Sequence, residues 1–411
     1  MIHDIIRLPQ RDVPAHMAAK QSARTAMEEK NMKYPDFLQK NSKLGLIAPS
    51  FGCASTEPYH TRFQHALSYF ESQGYKPVVG PNVYLEDGIG KSTTAEKCGA
   101  EINDFFLSDK CDAILSVGGG ETMCEDLEFV DFDGIAAAKP KWFMGYSDNT
   151  NLTYTLATIC DVASIYGPNA SSFGMSPLHP FLTDAMALLE GNQLTVHNYE
   201  AWELEGLDSP ENPTATLNCT EPFRMSVYHA GKLWQNFSDD ADAKNDLERA
   251  ITSVSPVRSD FDVSAAPDPL DLTVQGRMLG GCLDILCCLC GTKFDHTKDF
   301  IEKYNADGTI FFLEACDLNP LSILRGLWQL KNAGWFKNVK AFLFGRPLHI
   351  NDSVMGLDCR QAVIHVLGDA GVPILFDLDI GHLPPQLPII CGAFGTIHAK
   401  GNTLSITYSL E

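Results

Sequence analysis

The sequence predicts an α/β protein: a doubly wound parallel sheet followed by a second α/β unit. From residue 43 onward, short apolar segments alternate with amphipathic helical ones, which is the pattern of βαβ units. Two early apolar segments run into residues that are unusual at a strand end, the triple glycine Gly118-Gly119-Gly120 and Ser147. Ligand sites in open parallel sheets lie at those carboxyl ends. After residue 270 the alternation resumes, and the segment TIFFLE ends in a carboxylate, Glu314.

Taken in order, residues 1–42 are mixed in charge, with Pro9, Pro14 and Pro35 as breakers. They read as an extension outside the main fold, with a helix around 15–30. The fold proper begins at KLGLIAPS, 43–50, an apolar strand ending in a Pro-Ser turn. A helix over 57–73 places Phe63, Leu67 and Phe70 on one face, and Gly74 stops it. A short strand at 75–79 follows, then a helix over 94–108 with Ile102, Phe105 and Phe106 inward. The strand at 113–117 enters the glycines, and 122–129 reads as a helix. The strand at 142–144 enters the turn Gly145-Tyr146-Ser147-Asp148, a helix runs over 150–160, and a strand at 164–167 closes the series. Together these define a domain over 43–190.

Residues 191–269 lose helical periodicity and are rich in Asp, Glu, Asn, Ser and Pro, as in GLDSPENPTATLNCTEP. They read as a linker or inserted excursion. A C-terminal domain spans 270–411. In it GRMLGG, 276–281, leads to a Cys-rich helix. TIFFLE, 309–314, is a buried strand and 321–335 a helix. A strand at 340–345 ends in Gly345-Arg346-Pro347, a helix covers 359–370, and a strand at 373–377 precedes Gly381-His382. The terminus is a hairpin turning at Lys400-Gly401-Asn402.

Composition narrows the function classes. The chain has 411 residues, 45% hydrophobic and 20% charged, a globular composition with room for two domains. A net charge of -21 argues against nucleic acid or anionic membrane as partners, since both need a basic face. No run of about 18 apolar residues marks a membrane span. The first residues, MIHDIIRLPQ, lack the apolar centre of a signal peptide, so a cytoplasmic location is expected. The 13 cysteines are odd in number and scattered, several in apolar segments such as those of Cys160, Cys282 and Cys391. That fits reduced, buried thiols. Cys282, Cys287, Cys288 and Cys290 lack a paired CxxC spacing and read as small packing residues rather than zinc ligands. No metal and no cofactor is expected.

The stretch KPKWFMGYSDNT, 139–150, organises the chemistry. A strand, a tight turn and a helix would lift the Ser147 hydroxyl clear of the sheet, as an activated nucleophile requires. The competing reading is that Ser147 or Asp148 caps the helix. Glu314 ends the strand TIFFLE and His382 follows PILFDLDIG, and a serine, a histidine and an acid from different strand ends are what nucleophilic acyl transfer needs. The order Ser…Glu…His occurs in triads on parallel sheets. Backbone amides at the glycine turn could hold an oxyanion. The turn could also be purely structural. A phosphate cradle fits less well, because GGGE lacks GxGxxG spacing and Glu121 would repel phosphate. GYSD is not the GxSxG elbow either, since Asn149 stands where the second glycine would be.

In this order the motifs LGLIAPS, SVGGGE, GYSDNT, GRMLGG, FLE and GHLPPQLPIICG resemble the LD-carboxypeptidases and the related microcin C immunity proteins. The resemblance covers residue 43 to the C-terminus. It implies a serine peptidase-like hydrolase with Ser147 as nucleophile, Glu314 as acid and His382 as base. The oxyanion amides would come from Gly119 or its neighbour Gly118, and from Asp148. The implied fold is an N-terminal flavodoxin-like domain joined to a C-terminal domain with a barrel-like sheet, the site between them, in a homodimer without metal. Val117 before the glycines and Gly120 after them depart from the Arg-Gly-Gly-Tyr-type turn of the carboxypeptidases and lie closer to the immunity branch.

The expected function is amide hydrolysis through an acyl-enzyme. The substrate is a small peptide, the L,D-amide of murein, or an aminoacyl or peptidyl nucleotide. Trp202 is a candidate to stack a nucleobase, against the alternative of a packed indole. Arg346 is a candidate to hold a substrate carboxylate, against a structural turn, and Glu121 is a third candidate contact. A non-catalytic small-ligand binder on the same fold is the reading from a different class.

Overall fold

Strands β1 (Lys43–Ile47), β2 (Lys76–Val79), β3 (Ala113–Ser116), β4 (Trp142–Gly145) and β5 (Ser164–Tyr166) are the apolar segments of the first half. They form a parallel sheet in which β1 pairs with both β2 and β3, β3 with β4, and β4 with β5. β1, β3 and β4 are buried almost throughout, as strands covered on both faces must be. Alternate residues serve the two faces. Leu115 and Met144 pack in one core with Phe63 and Phe70, while Ile114 and Phe143 pack in another with Ile102 and Phe105. Helix α1 (Tyr59–Ser72) supplies the former pair of phenylalanines and α2 (Ala95–Leu107) the latter residues. This computed structural model describes residues 31–53, 57–235 and 270–411.

The remaining strands are β6 (Thr195–His197), β7 (Ala201–Glu203), β8 (Cys219–Pro222), β9 (Ser226–His229), β10 (Lys232–Gln235), β11 (Asp271–Cys282), β12 (Thr309–Glu314), β13 (Val339–Gly345), β14 (Ser353–Val354), β15 (Leu357–Asp358), β16 (Ile374–Leu378), β17 (Ile389–Cys391), β18 (Phe394–Lys400) and β19 (Thr403–Ser409). A nine-stranded mixed sheet runs β10-β9-β16-β13-β12-β11-β18-β19-β6. Its centre, β11, β12, β13 and β16, is parallel. The terminal hairpin β18–β19 turns at Gly401-Asn402 and flanks β11. The remaining α-helices among the described residues are α3 (Phe132–Ala137), α4 (Thr150–Thr158), α5 (Pro180–Leu189), α6 (Leu283–Leu289), α7 (Thr297–Lys303), α8 (Pro320–Ala333) and α9 (Cys359–Leu367).

Residues 32–410 form one compact unit. Within it, strand β17 leaves the second half of the sequence and pairs antiparallel with β5, completing a six-stranded first sheet in the order β17-β5-β4-β3-β1-β2. Helix α4, which follows Ser147, is buried along its whole length. Its Thr150 hydroxyl accepts the Cys282 amide at the end of β11 at 3.0 Å. Tyr154 stacks on Trp335 at 5.2 Å and shares a 2.8 Å hydrogen bond with Thr297. A helix this thoroughly enclosed ties the first sheet to the second.

The stretch read as a linker or excursion over 191–269 is described to residue 235. There it is part of the architecture: β6 extends the second sheet beside β19, β9 pairs with β16, and β7 pairs with β8. These strands have three or four residues, too few for a period of two to show in sequence. The segment expected as a helix over 122–129 is a 3-10 helix, Met123–Phe129. Inside it buried Asp126 pairs with Lys91 at 2.8 Å. Residues 1–30, including the helix expected at 15–30, and 236–269 lie outside the described residues. All 13 cysteines are free thiols, and no cluster of His, Cys, Asp and Glu among the described residues could hold a metal ion. No described helix is long and apolar enough to cross a membrane.

Candidate active site

β4 ends at Gly145, and the chain turns at once into the 3-10 segment Ser147–Asn149 and then α4. Ser147 takes a left-handed backbone conformation, φ 64°, which costs a non-glycine residue roughly 1–2 kcal/mol. That conformation turns its side chain away from the helix, and neither Ser147 nor Asp148 caps α4. The Asp148 carboxylate accepts instead from the Met123 amide at 3.0 Å, from Asn151 Nδ2 at 2.9 Å and from the Ser50 hydroxyl. It clamps the turn to the ends of two other segments. Burial pushes its pKa up, against these donors and the Lys91 charge.

Asn149, standing where an α/β-hydrolase elbow has its second glycine, has a defined task. Its side-chain amide donates to the Gly118 carbonyl at 2.8 Å and to the Tyr146 carbonyl at 3.1 Å. It also reaches Asn169 Oδ1 at 3.3 Å. The serine turn and the glycine turn are thereby fastened together. A Cβ on Gly119 would lie 3.1 Å from Ser147 Cβ and 3.3 Å from its Oγ, so the glycine backbone passes directly against the hydroxyl. A Cβ on Gly120 would lie 2.1 Å from the Ser50 hydroxyl, which fixes glycine there as well.

The three candidates for chemistry converge. His382 Nε2 lies 2.9 Å from Ser147 Oγ, and His382 Nδ1 lies 2.8 Å from Glu314 Oε2. Glu314 is fully enclosed at the end of β12, whereas Ser147 and His382 are partly exposed. Burial alone would raise the Glu314 carboxyl; the His382 charge and donors from His382, Tyr166 and Cys282 outweigh it, and the pKa falls below the ordinary carboxylate value. Burial disfavours protonated His382, but the Glu314 charge and its hydrogen-bond partners prevail and raise its pKa well above the ordinary histidine value. This arrangement can deprotonate a serine hydroxyl at one imidazole nitrogen while a carboxylate holds the other in the required tautomer.

Sequence models of the LD-carboxypeptidase N-terminal and C-terminal domains match residues 44–167 and 275–397. The chain belongs to the LD-carboxypeptidase family. Among curated relatives, the Escherichia coli microcin C7 self-immunity protein is 24% identical over 87% of this chain and 91% of its own length. A Bacillus subtilis protein named "Probable murein peptide carboxypeptidase" is 22% identical over 90% of this chain and 93% of its own. Among solved structures, an immunity-like protein from Bacillus anthracis superposes with a TM-score of 0.69 at 20% identity, over 92% of this chain and 100% of that one. The microcin C7 self-immunity protein in complex with aspartyl sulfamoyl adenosine superposes with a TM-score of 0.67 at 20% identity, over 92% of this chain and 98% of that one. Family names and matches place this chain among hydrolases.

The other candidate residues of this LD-carboxypeptidase family member lie on two sides. Glu121 is exposed after the glycine turn; burial and the charges of Asp317, Asp148 and Asp284 raise its pKa, while His382 opposes them. Trp202 lies on β7, which is anchored to the histidine loop by a 2.8 Å bond from the Glu203 amide to the Pro384 carbonyl. The Arg346 guanidinium stacks on the Trp202 ring at 4.8 Å. Arg346 is 1% exposed, pairs with Asp379 at 2.6 Å, and donates to the carbonyls of Asp377 and Leu383. These bonds match its charge within the fold. It serves as the floor of a cleft of about 380 Å³ lined by Trp202, Glu221, Arg224 and Arg360.

Sequence reasoning missed Tyr166, whose hydroxyl donates to Glu314 Oε1 at 2.5 Å, and the fastening role of Asn149 and Asn169. The one available signal was SIYGPN at 164–169, a strand ending in a tyrosine with a polar tip.

Proposed function

We propose that this protein is a serine hydrolase that cleaves an amide bond through an acyl-enzyme. The observation that carries this reading is the unbroken chain of contacts from Ser147 Oγ through the His382 ring to Glu314. His382 Nε2 takes the proton as Ser147 Oγ attacks the carbonyl carbon. Backbone amides at Gly119 or Gly118 and at Asp148 hold the tetrahedral oxyanion, each donor contributing about 3 kcal/mol. The protonated His382 then gives its proton to the leaving amine. Water, activated by the same imidazole, releases the acyl group. In this reading residues 43–190 supply the nucleophile, 270–411 supply acid and base, and the protein works as a cytoplasmic homodimer.

For the substrate we favour an aminoacyl or peptidyl nucleotide over the L,D-amide of a murein peptide. Trp202, whose ring carries Arg346 on one face, and Arg224 line a cleft beside the histidine loop, which suits a planar base and an anionic linker. Glu121 is a further candidate contact at the mouth. The murein reading loses its candidate carboxylate holder, because Arg346 is paired with Asp379.

Mass-spectrometric product analysis tests both readings, with a murein tetrapeptide and an aminoacyl sulfamoyl adenosine supplied side by side and Ser147→Ala as control. Release of the amino acid from the nucleotide by the wild type alone supports the favoured substrate. Loss of the terminal residue from the tetrapeptide alone selects the murein reading. Failure of a serine-directed reagent to label the folded protein would instead mark a non-catalytic binder.

A further inference from the structure

We propose that Tyr166 is a positioning residue that joins the backbone of the nucleophile to the acid of the triad. The inference rests on the assignment of Ser147, His382 and Glu314 above. The Tyr166 hydroxyl donates to Glu314 Oε1 at 2.5 Å and accepts the Ser147 amide N–H at 3.3 Å. A hydroxyl has one proton to give and lone pairs to receive. The directions are therefore set: the ionised carboxylate takes the proton, and the serine amide gives its own. The two Glu314 oxygens are divided, one on Tyr166 and the other on His382 Nδ1.

The surroundings hold this phenol still. Tyr166 is 2% exposed at the last position of β5, where Gly145 of β4 and Ile389 of β17 flank it in register. Its ring meets Tyr146 edge-on at 6.4 Å and packs on Phe312 of β12 at 5.6 Å. Burial and the nearby Glu314 charge both raise the pKa of the phenol, so it remains a donor. Tyr166 belongs to the first sheet and Glu314 to the second. Their bond therefore sets how far the acid, and through it the imidazole, stands from Ser147. The amide it accepts belongs to the left-handed residue whose turn would otherwise lack that anchor.

Removing the hydroxyl should act on the imidazole through the carboxylate. Without the Tyr166 proton, the Glu314 charge concentrates toward Oε2 and holds the proton on His382 more tightly. The fraction of neutral imidazole at a given pH falls, and the Ser147 turn loosens. A purely structural tyrosine would change the melting temperature without moving this titration.

The test uses a fluorophosphonate, whose reaction needs no knowledge of the substrate. Ser147 Oγ forms a bond to phosphorus, fluoride leaves, and the serine proton passes to His382. For Tyr166→Phe, which keeps the ring, the labelling rate should fall about tenfold, and its acid limb should move to higher pH. A folded Tyr166→Phe that labels at the wild-type rate with an unmoved limb overturns the proposal. Should Tyr166→Phe fail to fold, 3-fluorotyrosine placed at position 166 keeps the hydroxyl and makes it a stronger donor. Its limb should move to lower pH, and no movement overturns the proposal. Ser147→Ala separates the two levels. Undiminished labelling of that variant brings down the triad and this inference with it. Loss of labelling, together with a wild-type-like Tyr166→Phe, removes Tyr166 alone.

Discussion

His382 Nε2 stands 2.9 Å from Ser147 Oγ although 235 positions separate the two residues in the chain. The approach is made by β17, which follows the histidine loop and pairs with β5, next to the strand that delivers the serine. The Asp379 carboxylate steadies the same loop: it accepts the Tyr199 amide at 2.8 Å and pairs with Arg346 at 2.6 Å. Base and nucleophile thus meet at an edge where the second half of the sequence completes the first sheet.

Replacing Ser147 by alanine should abolish turnover while leaving the fold intact, because the hydroxyl is partly exposed and its removal empties no apolar core. Activity assays paired with thermal melts check this. Normal turnover in that variant would end the nucleophile assignment.

Glu314→Gln should lower kcat on the order of 10³-fold with little change in substrate affinity. The amide keeps the shape but loses the charge that orients and stabilises the imidazolium. Steady-state kinetics give the answer, and an unchanged kcat would mean that another group orients His382.

The pH dependence of activity and of stability should run in opposite directions. Catalysis needs neutral His382, whose pKa lies well above the ordinary 6.5, since Glu314 overcomes the effect of burial. The acid limb of kcat/KM should therefore fall above that ordinary value. For stability, the raised His382 value gives a contribution that is complete below its unfolded pKa and is lost as pH rises through the folded one. Glu314, lowered from 4.5, gives a contribution complete above its unfolded pKa and lost as pH falls through the folded one. The pair is thus most stabilising between about 4.5 and 6.5, where activity is low. Rate profiles, with melts of wild type against His382→Ala across the same range, measure both limbs. An acid limb below 6.5 would contradict the expectation.

Gly119→Ala should cut kcat with little loss of melting temperature. The added Cβ would lie 3.1 Å from Ser147 Cβ and 3.3 Å from Oγ, tight enough to displace the hydroxyl from His382. A displacement of about 1 Å can cost on the order of 100-fold in rate. Kinetics of the variant at full folding decide it, with wild-type kcat as the contrary outcome.

Gly281→Ala tests the joint between the sheets. Gly281 has φ +147°, and a Cβ there would lie 2.5 Å from Thr150 Cγ2, the residue that anchors β11 to α4. Strain and the clash together should destabilise the fold by about 2–4 kcal/mol. Denaturant unfolding measures it. A loss below about 0.5 kcal/mol would show that the joint is slack.

Local pattern was enough to read the parallel first sheet, because β1, β3 and β4 are apolar, short and separated by helical segments, so pattern and burial agree. It also marked Ser147, Glu314 and His382, since each is a polar residue standing at or shortly after the carboxyl end of an apolar strand, where sites of parallel sheets lie. Segments without period were closed to it: β6 to β10 are three or four residues long, and β6 and β9 find their places in the second sheet beside β19 and β16, far away in the chain. Tertiary structure alone decided that Tyr166 reaches Glu314, that Asn149 ties two turns together, and that Arg346 spends its charge on Asp379. The physical reason is the same in each case. A strand or helix records its own burial in the spacing of its residues, whereas a hydrogen bond between distant strand ends depends on β17 and α4 bringing the two sheets together.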